Sequence, residues 1–254
     1  MALLELKDIS KNFGKLQAVS DLDFDVNKGE IHSLIGPNGA GKTTVFNLIT
    51  GTYPVTNGRI SFSGDDITGL QPHQTAQKGI GRSFQGTFLF MQQSVLNNLM
   101  IGFHMSCRAG ALKEFLHTQS AKKVDEECRQ KALEIIEFMG LGTLKNEMAG
   151  NLPHGHQRAL GVSIALACSP TLLMLDEPVT GMNPTETIEM VERIRRIRDR
   201  GITIILIEHT MRVVMDVSDR ITVLSYGRKI AEGLPEEIRN NQEVIEAYLG
   251  REEK

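Results

Sequence analysis

No apolar run in this sequence approaches the roughly 20 residues needed to span a bilayer. The longest candidates, such as 202–207, are only strand-sized. The first eight residues carry acidic side chains and no long apolar stretch, so no secretory leader is expected. Charge of one sign is scarce too. The formal net charge is −3 over 254 residues, which gives little whole-protein attraction to nucleic acid or anionic lipid. Cysteine is rare: Cys107, Cys128 and Cys168 stand far apart, without metal or redox spacing. They read as buried or half-buried thiols in a reducing compartment. Internal repeats, low-complexity tracts and long linkers are absent. What remains is ordinary globular composition, 41% hydrophobic and 23% charged. The length suits one large domain or two small lobes.

The apolar residues fall into two kinds of pattern. Around 3–6 and 22–26 they alternate with polar ones, which predicts half-buried antiparallel strands. Residues 31–35 read as a short apolar strand ending in a glycine-rich turn. Residues 42–50 then read as a helix with Val45, Phe46, Leu48 and Ile49 on its apolar face. A further strand is expected at 58–63, with a turn at Gly64-Asp65-Asp66. From about 94 to 168 the spacing turns helical, with Val124, Cys128, Ala132, Ile135, Ile136 and Met139 recurring on one face. Strands return at 172–175, 202–207 and 221–225, the first two separated by a helix-like stretch at 185–200. Apolar strands alternating with helices imply a parallel sheet covered on both faces. Short closing helices are expected at 236–240 and 243–249.

One motif carries specific chemistry. Gly36-Pro37-Asn38-Gly39-Ala40-Gly41-Lys42-Thr43 has the form G-x-x-x-x-G-K-[ST], placed between an expected strand and an expected helix. Glycines let the backbone curl so that several N–H groups point at phosphate oxygens. The helix N-terminus adds a favourable dipole. Lys42 would reach the β- and γ-phosphates, and the Thr43 hydroxyl would ligate Mg²⁺. Thr44 belongs to the same nucleotide-binding set. A chance glycine turn is the competing reading, and the strand–turn–helix context argues against it.

The strand at 172–175 runs into Asp176 and Glu177. In parallel α/β sheets, ligands collect at the carboxyl ends of strands. Asp176 would hold Mg²⁺, and Glu177 is placed to polarise an attacking water as general base. His209 follows the strand at 202–207 and should emerge at the same edge. There an imidazole could hydrogen-bond the γ-phosphate or the water. A lone histidine after a strand is more often structural, so its role rests on this context.

With these residues in view, the sequence resembles the ATP-binding subunits of ABC transporters over nearly its whole length, 3–249. The family places an aromatic residue ahead of the phosphate loop to stack on adenine, and Phe13 matches. Its glutamine, which binds Mg²⁺ and senses the permease, is matched by Gln85. Its signature loop, which contacts the nucleotide of a second subunit, is matched in position by Leu152, Pro153, His154, Gly155 and His156. Its loop after the acidic pair corresponds to Thr180-Gly181-Met182-Asn183, and its switch histidine to His209. The closer likeness is to the branched-chain amino acid importer ATPases of the LivG type. It is carried by Gly181-Met182-Asn183-Pro184, Ile207-Glu208-His209, and the tail from Ile238-Arg239-Asn240-Asn241 to Ala247-Tyr248-Leu249-Gly250.

The resemblance implies a P-loop NTPase of α/β class. It has a mostly parallel central sheet, an N-terminal antiparallel β subdomain and an inserted helical subdomain. A single domain, 1–254, is expected, with a RecA-like core from about 1–93 and 169–254 and a helical part from about 94–168. It further implies hydrolysis of ATP to ADP and phosphate. Two such subunits, identical or paralogous, pair head to tail and drive two transmembrane permease subunits, with a substrate-binding protein delivering cargo. The expected place is peripheral, on the cytoplasmic face of the inner membrane, with no nucleic acid partner. Amino-acid import is the leading expectation. Lipid export by the same kind of motor is the alternative, and a P-loop kinase or signalling switch is disfavoured by Gln85, the loop before Gln157, and His209.

The sequence also departs from the general family. Only Leu152 and Gly155 of the signature survive, and Pro153 brings neither hydroxyl nor N–H. The Gly155 and His156 amides, at the start of a helix at 157–168, are the donors expected to remain. Either these amides suffice or the imidazoles of His154 and His156 replace the lost contact; a metal-binding His-x-His pair is a third, weaker reading. Ile164 stands where the family has arginine, and Asn183 where it has aspartate. The basic run Arg193, Arg195, Arg196, Arg198 and Arg200 shares its helix with Glu186, Glu189, Glu192 and Asp199, so a solvated, salt-bridged face is expected. The Phe-, Leu- and Met-rich segment 84–105 is expected to pack between lobes and, from the resemblance, to receive a permease helix.

Overall fold

Alternation becomes structure first at the N-terminus. The computed structural model describes residues 2–83, 89–106 and 119–249. Strands β1 (Ala2–Phe13) and β2 (Leu16–Asn27) pair antiparallel, with Leu4 opposite Val26, Leu6 opposite Phe24 and Ile9 opposite Leu22. All six side chains are buried, because alternation sends them to one face of the sheet. After β3 (Ile31–Ile35) and helix α1 (Lys42–Ile49), strands β4 (Asn57–Phe62) and β5 (Asp65–Asp66) complete a four-stranded sheet in the order β2-β1-β4-β5.

The chain continues through α2 (Pro72–Gln77), β6 (Ile80–Arg82), α3 (Val95–Ser106), α4 (Gln119–Phe138), α5 (His154–Leu166), β7 (Leu172–Asp176) and α6 (Pro184–Asp199). It closes with β8 (Thr203–Ile207), α7 (Met211–Val217), β9 (Arg220–Ser225), β10 (Arg228–Gly233), α8 (Pro235–Arg239) and α9 (Gln242–Leu249). The second sheet has the order β10-β9-β3-β8-β7-β6. Strands β9, β3, β8 and β7 run parallel, and β10 is antiparallel to β9. Every residue of β3, β7 and β8 is buried. This is why those segments read as continuous apolar runs rather than alternating ones.

Period-2 geometry still sorts their side chains. Leu34, Leu172, Met174, Ile205 and Ile207 join the cluster formed by α1, β1 and β2, which is centred on the fully buried Phe24, Phe46 and Phe62. Ile35, Ile221 and Val223 pack instead with Val214, Ile238 and Val244 of α7, α8 and α9. Each such large side chain contributes about 1.5–3 kcal/mol through burial.

The chain divides into two compact units. One comprises Met1–Ile80, Thr171–Glu177 and Ile194–Lys254; the other comprises Gly81–Pro170 and Pro178–Arg193. In the second unit, Cys128, Ala132, Ile136 and Met139 are buried as the helical spacing predicts, whereas Val124 is exposed. Cys128 is a buried thiol and Cys168 a half-buried one, and Cys107 lies outside the described residues.

The arginine run on α6 is ion-paired, as expected. Arg193 pairs with Glu189 at 3.2 Å and Arg198 with Asp199 at 2.9 Å within the helix, while Arg195 reaches Asp216 at 2.8 Å and Arg198 also reaches Asp219 at 3.4 Å. Strand β10, the short β6 and helix α7 have too few periodic residues to show in the sequence.

Candidate active site

The phosphate loop grows out of β3 at a point with no room for a side chain. Gly36 has φ 149°, and a Cβ there would lie 2.1 Å from the Leu224 carbonyl oxygen of β9. At the far end Gly41 has φ 103° and caps α1, with the Ala18 carbonyl oxygen 2.7 Å from where its Cβ would be. The hairpin between β9 and β10 braces the loop. The Gly227 N–H donates to the Ala40 carbonyl at 3.0 Å, and the Gly227 carbonyl accepts from the Ser20 N–H at 2.9 Å. The first turn of α1 contains no acidic residue, so the helix itself places no negative charge against an anion at the positive end of its dipole.

Lys42 is buried, at 6% exposure. Its Nζ donates to the Gly36 carbonyl at 2.7 Å and to the Pro37 carbonyl at 3.0 Å. Burial pushes its ammonium below the ordinary lysine value, and the negative charges of Glu177 and Asp176 offset part of that shift. The loop lysine and the acidic pair are therefore close enough to feel each other's charge.

Asp176 ends β7 and is 3% exposed. Glu177 follows in a left-handed conformation, φ 50°, which is uncommon for a residue with a side chain. Its N–H donates to the Ile207 carbonyl at 2.9 Å, which extends the pairing of β7 with β8 by one residue. Its carboxylate Oε1 lies 2.7 Å from His209 Nε2. His209 is fixed in turn by Glu208, which the sequence reading did not single out. The buried Glu208 carboxylate accepts the His209 N–H at 3.0 Å and the Thr210 N–H at 3.4 Å, holding the turn into α7.

Phe13 is exposed at 42%, which leaves its ring accessible to a ligand. Tyr53 packs edge-on against it with centroids 5.3 Å apart. Lys11 Nζ lies 4.9 Å from the Phe13 centroid and donates to the Pro54 carbonyl at 2.7 Å. Tyr53 was not legible in the sequence as a support for Phe13, because it comes from beyond α1.

Among the expected site residues, Phe13, the loop from Gly36 to Thr44, Asp176, Glu177 and His209 fall in one compact unit. Gln85 lies outside the described residues.

The signature-like loop belongs to the other unit. Leu152 is buried, and Pro153 caps α5, which starts at His154 rather than at 157. The His156 N–H consequently donates to the Pro153 carbonyl at 3.0 Å. This corrects the expectation that the His156 amide remains available. In the same unit, a Cβ on Gly181 would lie 3.1 Å from His154 Cε1, and a Cβ on Gly155 would lie 2.8 Å from Glu186 Oε1. Asn183 and Glu186 cap each other: the Asn183 N–H donates to Glu186 Oε2 at 3.0 Å, and the Glu186 N–H donates to Asn183 Oδ1 at 3.0 Å. Asn183 is thus the N-cap of α6, a position that suits its side chain. Among the described residues, no group of three or more His, Cys, Asp or Glu is placed to hold a metal ion.

Comparison with known proteins identifies the family and the fold. The family described as ABC transporter matches residues 19–180. The family described as branched-chain amino acid ATP-binding cassette transporter matches residues 228–254. The chain is 43% identical over 249 residues to the high-affinity branched-chain amino acid transport ATP-binding protein LivG of Escherichia coli strain K12, covering 98% of each chain. It is 36% identical over 255 residues to a probable LivG of Archaeoglobus fulgidus, covering 100% of this chain and 97% of that protein. The solved ADP conformation of an ATP-binding cassette of an ABC transporter aligns with TM-score 0.88 and 32% identity, over 99% of this chain and 100% of that one. A nucleotide-free cassette aligns with TM-score 0.87 and 33% identity, over 99% and 100%.

Proposed function

The chain belongs to the ABC transporter family of ATP-binding subunits, and on that premise we propose that it hydrolyses ATP to drive import of branched-chain or related amino acids. The observation that carries the reading is the convergence of Lys42, Asp176, Glu177 and His209 at the carboxyl edge of one sheet. The relatives reported above are named as amino-acid transport proteins, which favours import over lipid export.

Phe13, braced by Tyr53, offers its exposed face to adenine. The amides of the loop from Gly36 to Thr44 receive the phosphates. Lys42 then exchanges the Gly36 and Pro37 carbonyls for phosphate oxygens, which restores the charge partner that burial makes costly to lack. Glu177 takes the proton of the attacking water, and His209 holds the Glu177 carboxylate in place. Thr43 and Asp176 would supply oxygen donors, to which the family resemblance adds Gln85, and that chemistry fits Mg²⁺. The ion would neutralise charge on the β- and γ-phosphates.

A second ATPase subunit, identical or paralogous, would bring residues Leu152 to His156 to the γ-phosphate from the opposite side. Permease subunits would anchor the pair at the cytoplasmic face of the membrane. Among the described residues, no helix is long and apolar enough to cross a bilayer, in keeping with a peripheral place.

The test is Glu177→Gln. ATP turnover should fall by about 10²–10⁴-fold while ATP still binds. Turnover close to that of the unsubstituted protein would remove Glu177 from the proposed role.

A further inference from the structure

Lys11 and Phe13 stand two residues apart at the end of β1, and they differ sharply in exposure. Phe13 is open to solvent, whereas Lys11 is buried at 8%. The Lys11 ammonium lies over the Phe13 ring, 4.9 Å from its centroid, and 6.0 Å from the centroid of Tyr53. Both distances are within reach of a cation–π contact. The ammonium also donates to the Pro54 carbonyl at 2.7 Å, which helps to offset its loss of water. The segment that carries Tyr53 and Pro54 is joined to β1 by bonds that do not involve the Lys11 side chain. The Thr56 N–H donates to the Ser10 carbonyl at 3.0 Å, and the Asn12 N–H donates to Thr56 Oγ1 at 3.0 Å. Lys11 is therefore not needed to bring Tyr53 to Phe13. What it adds is a buried cation against a ring that remains accessible.

We propose that Lys11 is a positioning residue for adenine, acting through Phe13. Attraction between the ammonium and the negative face of the ring supplies the hold. An exposed ring would otherwise sample several orientations and would have to be ordered when the base arrives. Lys11 orders it in advance, so that this cost does not fall on binding. The inference rests on the reading of Phe13 as the residue that stacks on adenine.

The experiment uses the full chain with Lys11→Met, which keeps a long stem and removes the charge, and Lys11→Arg, which keeps the charge. Each is made with and without Phe13→Leu. ADP affinity is measured by isothermal titration calorimetry and folding by thermal denaturation. Lys11→Met should weaken ADP binding about two- to fivefold, the lower part of the range for ordering one side chain on binding, because Tyr53 still packs on the ring. Lys11→Arg should retain the affinity of the unsubstituted chain. In the Phe13→Leu background, Lys11→Met should cost nothing further, as expected when one residue acts only through the other. A cost that persists without the ring overturns the proposal, as does an arginine variant as weak as the methionine one. So does a lowered melting temperature with ADP affinity unaltered, because Lys11 would then only support the fold. Phe13→Leu that binds ADP as tightly as the unsubstituted chain would instead overturn the adenine-stacking reading, and this inference with it.

Discussion

Glu177 Oε1 and His209 Nε2 are 2.7 Å apart, although they come from the ends of two different strands, β7 and β8. Each is fixed by its own backbone contact. The Glu177 N–H is tied to the Ile207 carbonyl, and the His209 N–H to the Glu208 carboxylate. The imidazole is thereby placed to aim the carboxylate. Replacing His209 by alanine should lower kcat about 100-fold, on the scale of losing one preorganised polar contact at a reacting centre. ATP affinity should change little. Steady-state kinetics decides it: a loss confined to KM would mean that His209 binds nucleotide rather than orienting Glu177.

Far from this edge, Glu30 sits in a second charged cluster. Its carboxylate lies 3.3 Å from His32 Nδ1 and 3.0 Å from Arg220, and Arg220 also pairs with Asp25 and Glu232. Burial raises the Glu30 pKa, but the neighbouring His32 ring, the Asn27 N–H that donates to Glu30 Oε1 at 2.7 Å and the Arg220 guanidinium bring it down to about 2. A carboxyl whose folded value is depressed stabilises the fold above its unfolded value of 4.5 and loses that contribution as pH falls toward 2. The contribution is about 2 kcal/mol after allowance for partial solvent screening. Denaturant melts of Glu30→Gln beside the unsubstituted protein should differ at pH 7 and converge as the pH drops below 4.5. A gap that stays constant down to pH 3 would assign the effect to packing instead.

The reciprocal bonds between Asn183 and Glu186 explain a residue that looks like a departure in the sequence. Asparagine at an N-cap accepts from the first turn of α6 without adding charge. Asn183→Ala should cost about 1 kcal/mol, lowering the melting temperature by about 2–4 °C for a chain of this size. Asn183→Asp should leave it nearly unchanged, because aspartate caps equally well. Equal melting temperatures for all three proteins would show that the cap carries no stability.

What could be read from the sequence was whatever is contiguous. The phosphate loop, the acid pair after β7 and His209 after β8 are each encoded within a few residues, and the strands that carry them are apolar throughout because both sheet faces are covered. What escaped reading depends on distant parts of the chain. Tyr53 behind Phe13, and Arg220 among Asp25, Glu30 and Glu232, are brought together only by the folded sheet. The start of α5 was misplaced for a local reason. Pro153 has a φ of −53°, and its carbonyl accepts the His156 and Gln157 N–H groups at 3.0 Å, so it caps a helix that begins immediately after it.

That displaced helix start bears on how two subunits would close. With the His156 N–H already donating to Pro153, a γ-phosphate from a second subunit would find the amides of His154 and Gly155 at the N-terminus of α5, where the dipole favours an anion. Glu177→Gln should trap ATP, and size-exclusion chromatography should then show an ATP-dependent doubling of apparent mass that ADP does not produce. Adding Gly155→Asp to that background should abolish the shift, because a carboxylate at the helix start repels the phosphate and its Cβ crowds Glu186. A dimer that survives Gly155→Asp would mean that the loop does not touch nucleotide. Glu177→Gln that binds ATP yet stays monomeric would mean that this chain does not close on itself, leaving a paralogous ATPase as its partner in the transporter.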